Sequence, residues 1–169
     1  PSERDRWWAE RYMRVSGAGC QPLLGLNPGS GSRRKNWPAA GFAEVATWWI
    51  QQRRGHVLVL AGPADDEALA AFRAAAPDEG VFVLQNEELP RVAAVAERCD
   101  LYIGNDSGIT HVAAAVRTPT VALFGPTDPK LWRPWAPRVE VLTPPAGGGL
   151  ADIPAREVIT RARQALSAG

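Results

Sequence analysis

Short, mostly apolar runs recur along the chain at Leu23–Leu26, Val57–Ala61, Val81–Leu84, Leu101–Gly104, Thr120–Phe124 and Val139–Leu142, and the residues between them take helical spacing. A strand with one wet face alternates apolar and polar residues, whereas a run that is apolar throughout must be covered on both faces. Such runs separated by helices fit a parallel sheet between two helical layers, so the expected fold is a doubly wound α/β domain of about six strands. In such sheets ligands sit outside the carboxyl ends of the strands. The loops worth reading are therefore the ones that follow each apolar run.

The helical segments are marked by caps and periodicity. Ser2 with Asp5 three residues on predicts a helix start, and Trp8, Tyr12 and Val15 then share one face of a helix over 3–15. Phe42, Val45, Ala46, Trp49 and Ile50 keep helical spacing after the first strand, and an Ala-rich segment over 65–76 opens with Asp65, Asp66 and Glu67. Further helices are expected over 89–98, through Val116, and at the end of the chain. There Asp152 is the expected cap, Pro154 falls in the first turn, and Val158, Ile159, Ala162, Ala165 and Leu166 lie on the buried side.

At 169 residues, without an internal repeat or a long linker, the chain reads as a single domain over 1–169 that can bury a real core. Nineteen basic against eighteen acidic residues, spread throughout, offer no basic face for nucleic acid. Two distant cysteines, two histidines and one methionine make neither a disulfide framework nor a zinc quartet, and the free thiols fit a reducing cytosol. No apolar run approaches the roughly 20 residues that span a bilayer, and no signal-peptide pattern opens the chain. A soluble, cytoplasmic protein is expected. The compositional oddity is seven tryptophans, several in pairs, which fit either a core or a surface meant for another domain.

Two loops carry the chemistry. After the first strand, Asn27-Pro28-Gly29-Ser30-Gly31-Ser32 runs into Arg33, Arg34, Lys35, Asn36, Trp37 and Pro38. Glycines let a backbone approach, hydroxyls donate and cations neutralise charge, which suits a diphosphate, although the same composition also makes an ordinary solvated turn. After the fourth strand, Asn105-Asp106-Ser107-Gly108 leads into Ile109-Thr110-His111 and a small-residue helix. The unpaired N–H groups and dipole of that helix start favour an anion. Asp106 either caps the helix or accepts from sugar hydroxyls, and Gly108 permits the turn. His111 is expected to be a satisfied packing residue.

Three weaker positions follow from sheet geometry. Asp65, Asp66 and Glu67 come after the second strand, where a carboxylate could meet a ribose diol or simply favour a helix N-terminus. Asn86 and Glu87 after the third strand could flank a base or be ordinary loop residues. Thr127 and Asp128 close the edge of the fifth strand, where Pro126 and Pro129 on either side are expected to stiffen the loop without specifying chemistry.

These residues, in this order, resemble the C-terminal half of the family 9 glycosyltransferases, the bacterial lipopolysaccharide heptosyltransferases. The likeness runs from residue 23 to about 142 through the Asn27–Ser32 loop with Lys35–Pro38, the Leu60-Ala61-Gly62-Pro63 strand end, Asn105–His111 and Pro119–Pro129. The resemblance implies half of a GT-B glycosyltransferase, a Rossmann-like domain that holds the nucleotide-sugar donor, commonly ADP-heptose, with transfer that inverts the anomeric centre and uses no metal or other cofactor. On that likeness Ser30, Gly31 and Ser32 form the phosphate loop and Lys35 pairs with the diphosphate. Asp106 is the carboxylate near the donor sugar, Ser107, Gly108 and Ile109 wrap the phosphates, and Asp66 or Glu67 takes the ribose, with Asn86 and Glu87 beside the base. The acceptor site and general base belong to an N-terminal domain that is absent here, residues 1–15 are a connecting helix, and the isolated chain is expected to bind donor without transferring sugar. Peripheral contact of the full-length protein with the inner face of the inner membrane is implied too.

Other classes share some of these residues. Asp106-Ser107-Gly108 matches the Asp-Ser/Thr-Gly signature of aspartic proteases, but that fold is almost wholly β, against the Ala-rich helical segments here. A non-catalytic nucleotide- or sugar-binding module and a nucleotide-sugar epimerase of GT-B type both keep a diphosphate site and stay open.

Overall fold

The computed structural model describes residues 1–167, so the last two residues of the domain expected over 1–169 lie outside the described residues. The strands are β1 (Leu23–Asn27), β2 (His56–Ala61), β3 (Val81–Gln85), β4 (Leu101–Asn105), β5 (Thr120–Leu123) and β6 (Val139–Leu142). They form one parallel sheet in the order β3-β2-β1-β4-β5-β6. The helices are α1 (Glu3–Ser16), α2 (Ala39–Arg53), α3 (Asp66–Ala75), α4 (Leu89–Ala96), α5 (Gly108–Ala115), α6 (Pro129–Trp132) and α7 (Ala155–Ser167).

Alternate residues of the strands pack on opposite faces of the sheet, in two large cores and a smaller one around Ala122, Phe124 and Val139. Val57, Val59, Ala61, Leu101 and Ile103 join Phe42, Val45, Trp49, Phe72 and Val158 beneath α2, α3 and α7. Leu58, Leu60 and Tyr102 join Ala9, Met13, Val92, Val95 and Ala113 beneath α1, α4 and α5. A strand that feeds both layers has no wet face, which is why its sequence is apolar along most of its length. Trp37, Trp48 and Trp49 are core, while Trp7, Trp132 and Trp135 are exposed.

Several helix details differ from the expectations. Ser2 and Asp5 do form a capping box on α1, but its buried residues are Ala9 and Met13 and Val15 is 78% exposed. Val15 lies six residues after Ala9, about 240° round the helix, whereas small Ala9 lets α1 sit close on the Ala-rich α4. Asp152 does not cap the last helix. It lies in a one-turn 3₁₀ segment, where its Oδ2 accepts from the Gly149 N–H at 2.8 Å. Pro154 forces Ile153 into an extended conformation (φ −81°, ψ 110°) and itself sits just outside α7, its carbonyl accepting from Glu157 N. Helix α4 ends two residues short of the expected span, and α6 was not foreseen.

The sheet order reverses between β1 and β4. Successive connections run outward from β1 to β3 and then return to β4 on the other side, so the loops leaving β1 and β4 lie where doubly wound sheets place their ligand crevice.

Candidate functional site at the strand-order reversal

Each strand flanking the crevice ends in a fully buried asparagine. Asn27 donates from Nδ2 to the Leu60 carbonyl at 2.7 Å and to Asp65 Oδ2 at 3.2 Å, while its Oδ1 accepts from Ser107 Oγ at 3.1 Å. Asn105 donates to the carbonyls of Pro28 (2.9 Å) and Gly29 (3.3 Å), and its Oδ1 accepts from Trp37 N at 2.9 Å. A buried amide without partners costs about 1–3 kcal/mol, so these two side chains hold the β1 and β4 loops in one register. Gly29 belongs to the same brace: a Cβ there would lie 1.9 Å from Asp65 Oδ1. Sequence reading missed both asparagines, although a polar residue closing an apolar strand signals a buried group in need of partners.

The crevice holds one charged cluster. Lys35, in a 3₁₀ turn over Arg33–Lys35, donates from Nζ to Asp106 Oδ2 at 3.0 Å and to the Asp106 carbonyl at 3.1 Å. Thr127, from the loop after β5, donates to the same Oδ2 at 2.7 Å. No chemistry is expected of Thr127 from sequence, because its partner lies across a strand pairing that spacing does not reveal. Asp106 is 7% exposed and the Lys35 side chain 27% exposed.

Asp106 does not cap the helix that follows. Ser107 does, its Oγ accepting from Thr110 N at 3.4 Å, because Lys35 and Thr127 already hold the Asp106 carboxylate. Gly108 and Ile109 then open α5 with N–H groups that have no preceding helical carbonyl to bind, at the positive end of its dipole. No atom lies within 4 Å of a Cβ placed on Gly108, so the space there is open. Ile109 packs part-buried on the α4 core, but His111 is exposed, contrary to the packing role expected of it. Below the turn, Tyr102 Oη lies 3.3 Å from Thr110 Oγ1, and burial pushes its phenol well above the ordinary range.

The remaining candidates divide by distance from this cluster. Ser30 braces the β1 loop from within, with its hydroxyl against the Ser32 carbonyl (2.8 Å) and the Asn36 amide oxygen. Gly31 takes φ +70°, and it and Ser32 are exposed on the rim of a groove of about 360 Å³ whose far wall includes Glu67. Glu67 is ion-paired with Arg33 across that groove, and Asp66 accepts from Gln85 Nε2 at 2.6 Å. Asn86, at φ 59°, turns the chain after β3, and Glu87 pairs with Arg91 at 3.0 Å, whose guanidinium lies over Trp8. Direct contacts thus join Lys35, Asp106 and Thr127 beside the α5 start at Ser107–Ile109, whereas Gly31 and Ser32 line the groove shared with Arg33 and Glu67, and Ser30 and Asp66 bond within their own surroundings. Asn86 and Glu87 stand at the end of β3, two strands from β1. Among the described residues no group of three or more His, Cys, Asp or Glu is placed to hold a metal ion.

The model of glycosyltransferase family 9 (heptosyltransferase) matches residues 6–147 of the chain. Lipooligosaccharide heptosyltransferase 2 of Haemophilus influenzae is 32% identical over 130 residues, which cover 73% of this chain and 37% of that protein. Among solved structures, a family 9 glycosyl transferase from Veillonella parvula superposes with a TM-score of 0.90 at 28% identity, covering 99% of this chain and 53% of that one. The ADP-heptose lipopolysaccharide heptosyltransferase II of E. coli gives a TM-score of 0.86 at 28% identity over the same shares. The chain therefore spans well under half the length of the curated relatives it matches and about half that of the solved ones.

Proposed function

The chain belongs to glycosyltransferase family 9, the heptosyltransferases, and on that premise we propose that it is the donor-binding half of an inverting, metal-independent enzyme. The donor is ADP-heptose and the acceptor a lipopolysaccharide core sugar, by analogy with the relatives' names. The observation that carries this reading is the single cluster at the sheet's switch point: an ammonium, a carboxylate and a helix start within hydrogen-bonding reach of one crevice.

Each group takes a role in this reading. The Lys35 ammonium has three N–H bonds and spends two on Asp106, so one remains for a diphosphate oxygen. As the bond from the anomeric carbon to the diphosphate breaks, negative charge grows on the leaving group, and Lys35 with the N–H groups of Gly108 and Ile109 stabilises it without reorganising. Ser30, Gly31 and Ser32 close over the phosphates from the β1 side, and Ser107 fixes the turn. Asp106 accepts from a hydroxyl of the donor sugar. Asp66 or Glu67 takes the ribose, Glu67 by exchanging Arg33 for the diol, and Asn86 and Glu87 border the base. The acceptor hydroxyl attacks from the opposite face, and its general base and acceptor contacts belong to the length of the relatives that this chain does not span. Helix α1 is the connecting segment in this reading. The whole protein works at the cytoplasmic face of the inner membrane as a peripheral enzyme; no described helix is long and apolar enough to cross a membrane.

Calorimetric titration with ADP, UDP and GDP, each with magnesium and with chelator, tests the reading. ADP is expected to bind best and chelator to change nothing. Binding of none of the three, or binding that requires magnesium, overturns it.

A further inference from the structure

Asp106 is held unevenly. Its Oδ2 receives both Lys35 Nζ at 3.0 Å and Thr127 Oγ1 at 2.7 Å, whereas among the described residues Oδ1 accepts from no protein donor. Oδ1 is also not buried without a partner, so it meets solvent. The two oxygens of a carboxylate are chemically equivalent, and only the arrangement of donors decides which one is presented outward.

Lys35 cannot make that choice alone. It also binds the Asp106 main-chain carbonyl at 3.1 Å, and an ammonium on a flexible stem can follow the carboxylate as it rotates about χ2. A diphosphate in the crevice draws on the same ammonium. Thr127 is different: its β-branched side chain has few χ1 states, and its loop is fixed by Pro126 and Pro129 and by Asp128, which caps α6 through a 2.9 Å bond from Lys130 N. The Thr127 hydroxyl is a rigid donor outside the phosphate cluster.

Resting on the donor-half reading above, we propose that Thr127 is a positioning residue for Asp106: its hydroxyl pins Oδ2 and so presents Oδ1 to a hydroxyl of the donor sugar. Thr127 touches neither phosphate nor sugar, and its effect falls on sugar recognition. Because β5 lies beside β4, this places a determinant of donor choice on the Gly125–Pro129 loop as well as on the β1 and β4 loops.

The test compares wild type, Thr127→Val and Thr127→Ser in calorimetric titrations with ADP and with ADP-heptose, alongside their thermal unfolding. Valine keeps the shape and removes the donor; serine keeps the donor. Expected is a loss of about tenfold or more in ADP-heptose affinity for Thr127→Val, as for a hydrogen bond to a charged group, with ADP affinity within about twofold and serine restoring most of the loss. Equal weakening of both ligands, no weakening of either, or failure of serine to rescue overturns the positioning role while the donor-half reading stands. A wild-type chain that binds neither ligand overturns that reading and this role with it.

Discussion

Replacing Lys35 by Met removes the ammonium from Asp106 and keeps the apolar stem. At 3.0 Å and an effective dielectric of about 20 the lost attraction is about 5 kcal/mol gross. Most of it is offset because lysine no longer has to be desolvated, leaving about 2 kcal/mol of lost stability, or roughly 4–8 °C in Tm for a chain of this size. The reverse change, Asp106→Asn, should cost less, about 1 kcal/mol. The Lys35 side chain is 27% exposed and its ammonium can turn to water, whereas the Asp106 side chain is 9% exposed and its Oδ2 stays between Lys35 and Thr127. The double variant should therefore be more stable than Lys35→Met alone, because no buried charge is left unpaired. Urea unfolding of the four proteins, with the m-value confirmed constant, gives the coupling directly, expected at about 1–2 kcal/mol. Additive losses, or Asp106→Asn costing as much as Lys35→Met, would refute the idea that the ammonium stabilises a carboxylate held largely out of water.

Two glycines of the site should respond oppositely to alanine. Gly29→Ala places a Cβ 1.9 Å from Asp65 Oδ1 and disrupts the bonds from Asn27 and Gly62, so a loss of about 2–4 kcal/mol is expected by denaturant unfolding. Gly108→Ala meets no atom within 4 Å and should leave Tm unchanged while weakening ADP in calorimetry; retained ADP affinity contradicts a phosphate above that helix start. At high pH, burial raises the phenols of Tyr12 and Tyr102 and pushes the Cys99 thiol up to about 12. The unfolded chain then loses protons that the folded chain keeps, so stability should fall as pH rises beyond about 8.5–10. Tyrosinate absorbance at pH 11 should rise on adding urea, and a native spectrum already showing both phenolates would contradict it.

The strands were legible because two-sided burial leaves no polar positions to confuse the pattern; β2 is buried at every residue from Val57 to Ala61. Helix ends were less so. Asp152 and Asp106 both sit where a cap is expected, but side-chain competition decides: Gly149 N claims one, and Lys35 with Thr127 claims the other. Lys35 and Asp106 themselves could be read from their loops, since each carries a charge at a strand's carboxyl end. Thr127 could not, because its bond to Asp106 depends on β5 pairing with β4, and strand order is not written in local spacing. The same holds for Asn27 and Ser107, which meet across 80 residues of chain. Asp128-Pro129 did carry a helix-start signal, but four residues show no periodicity, so α6 passed unseen.

Backbone amide NMR of the chain titrated with ADP tests the location of the donor site most directly. Expected are concentration-dependent shifts concentrated at residues 30–35 and 107–109, with Thr127 following and the exposed face of α1 unmoved. Saturable shifts centred elsewhere, on α1 and α4 or around α6, would contradict a diphosphate site at the reversal between β1 and β4.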